Sequence, residues 1–524
     1  MSFKKSFCGE NKIPQPTNAD LREIYENLVK NKKIKGNPSL EKSMLSRAIR
    51  TQSGVAVVAV LTKPSSCPGK CIFCPTEKNM PKSYLSNEPA VMRAIMNKFD
   101  AYNQVRSRLR ALELNGHSVE KIELIVMGGT FSYFPKAYQK KFILDCFRAA
   151  NDYPKNKTHS TKQKTRKANK KNCLQTEQKK NETAHCRIVG LTLETRPDYI
   201  DEKEILNFRQ LGCTRVELGV QSVFDDVLIK NNRGHLIRET IRATRLLKDA
   251  GFKINYHMMP GLWGSNIKKD YQMFQKLFTN PDFQPDMLKI YPTVVTKNSE
   301  LYNLWKKGIY KPLTDKKFEE LIIKIKNEII PPYVRIQRLI RDVPLPSIEA
   351  GPKISNLRQI IQEKSHCQCI RCREIKGEYK SEDKIILARI EYDASGGKEI
   401  FLQYVSPDKQ KLYSLLRLRI PFENNKNHFI PTLKNSAIIR EIHTYGKLIN
   451  ISKEAKNSLP ASATALQAGP QHIGLGKKLI LEAERIARDE FGMKKIAVIS
   501  GIGVRNYYRQ NGYKLRDTYM IKKL

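Results

Sequence analysis

No stretch of the 524-residue chain approaches 18 consecutive apolar residues, and its first residues, Met1 to Lys12, contain no apolar core. The first absence excludes a helix able to cross a bilayer; the second excludes a secretory leader, so a cytoplasmic location and no membrane partner are expected. Acidic residues are also scarce, with 52 Asp and Glu against 94 Lys and Arg, a formal charge of +42. Solubility requires far less, so the excess points to a polyanionic partner, nucleic acid ahead of a membrane surface. Cysteine is present, at 11 residues, but six of these fall in two tight groups with ligand spacing. Without an export signal that pattern reads as metal chemistry in a reducing compartment and not as disulfides. The length suffices for two or more domains.

The first group, Cys67, Cys71 and Cys74, has no fourth cysteine nearby. Three thiolates leave one metal position open, and on a cubane iron–sulfur cluster an open iron can hold a small-molecule cofactor. The spacing resembles the signature of radical S-adenosylmethionine (SAM) enzymes, which implies a [4Fe-4S] cluster chelating SAM. The competing reading, a zinc knuckle, normally closes its shell with four ligands in paired units. The second group, Cys367, Cys369 and Cys372, is too tight for a regular helix to converge its sulfurs, but a turn can wrap it around a tetrahedral ion. Structural zinc is expected there, with His366 or a distant side chain as fourth ligand; a chance cluster in a basic loop is the alternative.

Residues 1–54 read as a basic N-terminal segment that contacts RNA. From Val55 to about residue 330, short apolar runs alternate with longer amphipathic ones. Strands are expected at Val55–Leu61, Ile122–Met127, Ile188–Leu193, Arg215–Val220, Lys253–Met258 and Met287–Tyr291, with helices such as Glu88–Asn115 and Arg238–Ala250 between them. Repeated βα units make a parallel sheet, and six strands suit a partial (β/α) barrel whose chemistry sits at the C-terminal strand ends. Gly128 and Gly129, Glu194, Gln221-Ser222 and His257 to Gly261 all end such strands, so they fall on one rim. Residues 154–185 carry nine lysines, one arginine and two acids, and are expected to be a disordered insertion.

A linker with the second cysteine group is assigned to 331–383, and a further α/β domain to 384–524. Strand runs at Ile385–Tyr392, Ile400–Tyr404, Lys411–Ile420 and Ser436–Thr444 precede the turn Gln471-His472-Ile473-Gly474-Leu475-Gly476, which opens an amphipathic helix from Lys477 to about Phe491. Glycines expose backbone N–H groups and a helix N-terminus favours an anion, so the turn suits a polyphosphate. With the strand Lys495–Ser500 and the pair Tyr507-Tyr508 that follow, it resembles the pyrophosphate loop and C-terminal half of the GNAT acetyltransferase fold. Either tyrosine can equally be a core aromatic.

A radical SAM domain joined through a cysteine-rich linker to a GNAT domain resembles one family, the catalytic subunit of Elongator with its stand-alone archaeal and bacterial counterparts. The segments His117–Glu123, Met127–Phe131, Glu194–Asp198, Arg215–Ser222, Cys369–Glu374, Arg440–Gly446 and Ile499–Tyr508 carry the likeness. It implies tRNA uridine-34 acetyltransferase activity, forming 5-carboxymethyluridine at the wobble position. It assigns Cys67, Cys71 and Cys74 to the cluster; Gly128, Gly129 and Glu194 are expected to bind cofactor from their place on the rim. Acetyl-CoA would meet Lys121, the segment Glu441, Ile442, His443 and Thr444, the turn Gln471, Gly474, Leu475 and Gly476, and Tyr508. Catalytic roles would fall to Lys121, Glu441, His443, Tyr507 and Tyr508.

Uridine C5 is an unactivated vinylic carbon, so the resemblance implies a radical route. A 5′-deoxyadenosyl radical takes hydrogen from the acetyl-CoA methyl, the carbon radical adds at C5, oxidation restores the double bond, and thioester hydrolysis leaves the carboxymethyl group. The partners implied are a tRNA anticodon stem-loop, an electron donor, and either a homo-oligomer or an Elongator-like assembly. Two further readings stay open: a protein lysine acetyltransferase with a structural cluster, and a non-catalytic tRNA-binding scaffold. The former would tolerate loss of Cys71.

Overall fold

The computed structural model describes residues 2–12, 15–45, 54–153, 173–375, 384–422, 427–446 and 474–524. Two seven-stranded sheets organise it. The first runs β1 (Ala56–Leu61), β2 (Lys121–Met127), β3 (Arg187–Thr195), β4 (Arg215–Gln221), β5 (Lys253–Met258), β6 (Met287–Ile290) and β7 (Arg335–Arg338), in sequence order and parallel throughout. Helices such as Ala101–Leu114, Lys136–Asn151 and Ile237–Asp249 cover its outer face, and their apolar stripes meet the strands in one continuous core. All six expected strands are there, and the partial barrel is confirmed.

Three boundaries differ from expectation. The seventh strand, Arg335–Arg338, lies inside the segment assigned to the linker, so the barrel extends past residue 330. Its polar sequence hid it: Gln337 faces a polar barrel interior, where it accepts a hydrogen bond from Asn255 at 2.6 Å. Within the tract expected to be disordered, Leu174–Asn181 forms a helix with Leu174 and Asn181 buried. Its stability comes from specific polar pairing that composition does not reveal: the Asn181 amide receives Ile188 N at 2.8 Å and donates to the Cys186 carbonyl at 3.0 Å. Residues 154–172 lie outside the described set. Finally, the long helix expected over Glu88–Asn115 is two, Pro89–Met96 and Ala101–Leu114, separated where Lys98 and Phe99 take positive φ.

The second sheet has the order β13 (Lys514–Arg516), β14 (Tyr519–Lys523), β12 (Lys495–Val498), β11 (Ala437–Thr444), β10 (Leu412–Pro421), β9 (Gly397–Val405) and β8 (Ile386–Asp393). It is antiparallel except for the parallel pair β11 and β12. A helix, Leu475–Arg485, lies in the crossover between these two strands and buries Leu479, Ile480 and Ala483 against the sheet, as its spacing predicts. Among the described residues no helix is long and apolar enough to cross a membrane.

The two sheets are joined by buried charges. Arg440 of β11 donates two hydrogen bonds to Asp286, which precedes β6, and one from Nε to Glu399 of β9 at 3.0 Å. Arg419 links Glu399 to Asp249 at the end of the helix Ile237–Asp249. Burial alone would raise these carboxyls; the surrounding guanidinium and ammonium groups overcome it and hold Asp286 and Glu399 below the usual carboxylate range.

Candidate active site

The cysteine loop Cys67 to Cys74 follows β1 and is pinned by its backbone. Ile72 N donates to the Asn231 carbonyl at 3.2 Å, the Ile72 carbonyl receives Leu301 N at 2.8 Å, and the Ile72 side chain is buried with Val295, Leu301 and Tyr310. The three sulfurs are thereby held at the C-terminal ends of the barrel strands. Cys67 Sγ lies 3.8 Å from Thr130 Oγ1, just past β2, and Cys71 Sγ lies 3.3 Å from an Arg233 nitrogen. Burial pushes the Cys74 thiol up to about 11. A bound cation reverses that effect, because a coordinating thiol is deprotonated outright.

The rim residues converge as expected. Gly128 has φ +131°, and a Cβ there would strike Thr62 Oγ1, so only glycine fits. Gly129 has φ +93°, and a Cβ there would stand 3.5 Å from the Lys82 carbonyl oxygen. Glu194 at the end of β3 accepts from the Tyr84 hydroxyl at 2.7 Å and faces His257 at 3.7 Å. Gln221, ending β4, has φ +72° and a buried Oε1 without a hydrogen-bond partner. Strain of this kind concentrates at functional sites.

Beneath the rim the barrel interior is charged, which sequence reasoning missed. Glu217 of β4 contacts Lys289 and lies 2.9 Å from His257 Nε2 and 3.3 Å from Asn255 Nδ2. Arg215 reaches Glu123 at 2.5 Å and Glu217 at 3.7 Å. Burial disfavours the Glu217 carboxylate, but Lys289, His257 and Arg215 hold it well below the ordinary range. The signal available was Arg215 and Glu217 alternating within an otherwise apolar strand, a pattern the rim glycines overshadowed.

The other predicted residues lie away from the rim. Lys121 begins β2, about 20 Å from the rim at about 3.3 Å per residue. Glu441 is fixed by Lys253 at the start of β5, at 3.0 Å, and by Arg417 at 2.8 Å. Strand alternation sends Ile442 and Thr444 to the other face, toward the helix Leu475–Arg485. There a Cβ on Gly476 would stand 3.2 Å from the Tyr507 hydroxyl, 3.4 Å from Thr444 Oγ1 and 3.8 Å from Ile442 Cδ1. Gly474 caps the helix with φ +63°, and its N-terminus opens beside these groups. Leu475 is buried, the His443 ring packs 4.4 Å from Tyr445, and Gln471 lies outside the described residues. Of the tyrosine pair, Tyr507 meets the turn, whereas Tyr508 is buried edge-to-face against Tyr507 and Tyr513.

The sulfurs of Cys367, Cys369 and Cys372 lie within 4.8 Å of one another. Tetrahedral zinc, with Zn–S near 2.3 Å, needs sulfurs about 3.8 Å apart. Arg373 ties this knot to both sheets, donating to the Pro332 carbonyl at 2.8 Å and to Gln403 of β9 at 3.0 Å.

The sequence matches the Radical SAM superfamily over residues 63–274 and the Radical_SAM C-terminal domain over 285–366. It is 44% identical over 495 residues to a tRNA uridine(34) acetyltransferase of Methanocaldococcus infernus, covering 91% of this chain and 87% of that protein. It is 38% identical to the human Elongator complex protein 3 over 499 residues, 91% of this chain and 86% of that one. A solved structure of an N-terminally truncated M. infernus Elp3 superposes with TM-score 0.73 at 41% identity, over 90% of this chain and 99% of the other. With the cysteine loop on the barrel rim and this likeness along nearly its whole length, the chain belongs to the tRNA uridine(34) acetyltransferase/Elongator complex protein 3 family of radical SAM enzymes.

Proposed function

We propose that the chain modifies the wobble uridine, position 34, of tRNA, forming 5-carboxymethyluridine from acetyl-CoA. The observation that carries this is the pairing, in one interlocked molecule, of an open three-cysteine loop on a barrel rim with a glycine turn beside a tyrosine hydroxyl. The formal charge of +42 supports an anionic partner, and an anticodon loop offers splayed bases within a phosphate backbone.

Cys67, Cys71 and Cys74 would hold a [4Fe-4S] cluster with SAM on the open iron, and their fit rests on a loop whose backbone is fixed and in which Cys71 Sγ receives a cationic donor. When bound, the cluster and SAM supply a one-electron cleavage that makes a radical. The chain's residues do the rest. Gly128 and Gly129, both at positive φ, shape the turn that follows β2 on the rim, and Glu194, oriented by Tyr84, offers a carboxylate to a cationic group. The second domain we read as a GNAT unit, since its parallel pair β11 and β12 flanks the glycine turn and helix. The N–H groups at Gly474 to Gly476 would bind the acetyl-CoA pyrophosphate, Ile442 and Thr444 would line the arm, and Tyr507, the tyrosine beside Gly476, takes the contact expected of Tyr508. Cys367, Cys369 and Cys372 would hold structural zinc that clips the sheets together; removing all three sulfurs should cost stability and about one zinc per chain by metal analysis.

The deciding experiment incubates anaerobically reduced protein with SAM, acetyl-CoA and tRNA and reads nucleoside masses. Carboxymethyluridine at position 34 is expected. Acetylated protein with unmodified tRNA would establish lysine acetyltransfer instead.

A further inference from the structure

The cysteine loop does not sit in neutral surroundings. Arg233, on the segment after the helix Asp225–Lys230, is buried, with one terminal nitrogen 3.3 Å from Cys71 Sγ and the other on the Gly219 carbonyl. Its backbone carbonyl also lies 4.0 Å from the same sulfur. Across the loop, Arg196 is buried and clamped by Asp198 at 2.9 and 2.8 Å, which leaves its third nitrogen without a hydrogen-bond partner. That nitrogen is aimed at the loop: a Cβ on Gly69 would collide with it while standing 3.6 Å from Cys71 Sγ. His235, between the two arginines, is buried and kept neutral by burial and by both guanidinium groups. Two cations and one carboxylate therefore press on the Cys67–Cys71 side of the loop.

We propose that Arg233 is a tuning residue that sets the reduction potential of the cluster held by Cys67, Cys71 and Cys74. This rests on the reading of that loop as the cluster site. Reduction adds one electron to the cluster from a low-potential one-electron donor and breaks no bond in the protein. The added negative charge spreads over the sulfurs, and a hydrogen bond and a full positive charge on the half-buried Cys71 Sγ, from a buried guanidinium, stabilise the reduced form. The guanidinium is held by the Gly219 carbonyl, where any side chain at 219 would crowd it at 2.8 Å, so the charge cannot swing away. Asp198 works in the opposite sense, since it neutralises Arg196.

The test is a potentiometric titration with dithionite, monitored by electron paramagnetic resonance, on full-length protein without SAM. Arg233→Gln should make reduction at least tenfold less favourable, a midpoint lower by about 59 mV or more. Arg233→Lys, which keeps the charge, should recover part of that loss. Asp198→Asn, which leaves Arg196 uncompensated, should move the midpoint upward. A fully loaded Arg233→Gln protein with the wild-type midpoint would overturn the proposal. Should Arg233→Gln fail to load iron, Arg233→Lys decides, and a loaded Arg233→Lys protein with the wild-type midpoint would overturn the proposal. Absence of iron from reconstituted wild-type protein would instead refute the cluster site itself.

Discussion

Arg440 and Asp286 meet across the join between the two sheets in a forked pair, Nη1 to Oδ2 at 2.9 Å and Nη2 to Oδ1 at 2.5 Å, with neither side chain exposed. Losing both guanidinium hydrogen bonds would leave this water-excluded carboxylate with one backbone N–H donor and with Lys248 and Arg417 at 3.7 Å. Arg440→Met should therefore cost about 3–5 kcal/mol in urea unfolding. The same carboxylates make the fold acid-sensitive. Asp286, Glu399, Glu441 and Glu217 all titrate below their ordinary values in the folded state. Their contribution is fully present above the unfolded values near about 4, and is lost as pH falls below them. Denaturation midpoints measured from pH 7 downward should fall steeply below about pH 4.

Lys248 presents the opposite case. It is buried in the same knot, with its nitrogen 3.7 Å from Asp286 and 3.8 Å from Glu399 and no hydrogen bond, and burial lowers it to about 8. The unfolded chain then binds more protons than the folded one between about 8 and 10.5, so this group opposes folding at neutral pH and relents as pH rises through that window. Arg417, Arg419 and Arg440 remain to neutralise the acids if it is removed. Lys248→Met should stabilise the protein by about 1–3 kcal/mol at pH 7, a gain that shrinks toward pH 10.5.

What could be read from the sequence divides along physical lines. Most strands whose apolar residues keep a regular period were found within a residue or two, from Ala56–Leu61 to Ala437–Thr444, although Gly397–Val405 begins three residues before the expected Ile400. Apart from the turn that splits Glu88–Asn115 into two helices, the misses are elements held by polar contacts. Arg335–Arg338 pairs with β6 while facing Asn255, and Leu174–Asn181 is fixed by amide and ion pairs, including Glu182 with Arg505 and Arg509. The cysteine loop and the glycine turn were legible because ligand spacing and backbone access are local properties. That Arg233 lies against Cys71, 162 residues away, or that the Tyr507 hydroxyl lies beside Gly476, depends on tertiary placement.

Gly476 tests the second site. A Cβ would press on the Tyr507 hydroxyl at 3.2 Å, in contact with Thr444 and Ile442, and the branched side chain of valine would obstruct backbone approach by a phosphate. Gly476→Val should weaken acetyl-CoA at least tenfold by calorimetry. Gly474, with nothing within 4 Å of its Cβ position but a left-handed φ, should tolerate Asn better than Val.

Cys71→Ala should abolish iron loading, read from visible absorbance after reconstitution, together with the tRNA product. Binding of tRNA should persist, because phosphate contacts come from Lys and Arg and not from a cluster. Wild-type product from this variant would remove the radical reading.

Residues 155–172 carry seven lysines, one arginine and no acid, whereas the helix that follows is part of the folded body. Deleting 155–172 should therefore leave the unfolding midpoint and the iron content unchanged. Extending the deletion through Asn181 should not be tolerated, because it strips Ile188 N and the Cys186 carbonyl of their buried partners, at about 1–3 kcal/mol for each unsatisfied group. The shorter deletion then isolates the charge. For every phosphate that the tract neutralises, its removal should flatten the plot of log affinity for tRNA against log salt by about 0.7 to 0.9. Only a few of the eight cations are expected to engage phosphates at once, so the slope should fall by about 2 to 3 in filter binding at several salt concentrations. An identical slope and affinity would show that the basic tract serves no RNA contact, and would leave the remaining surface to account for the affinity.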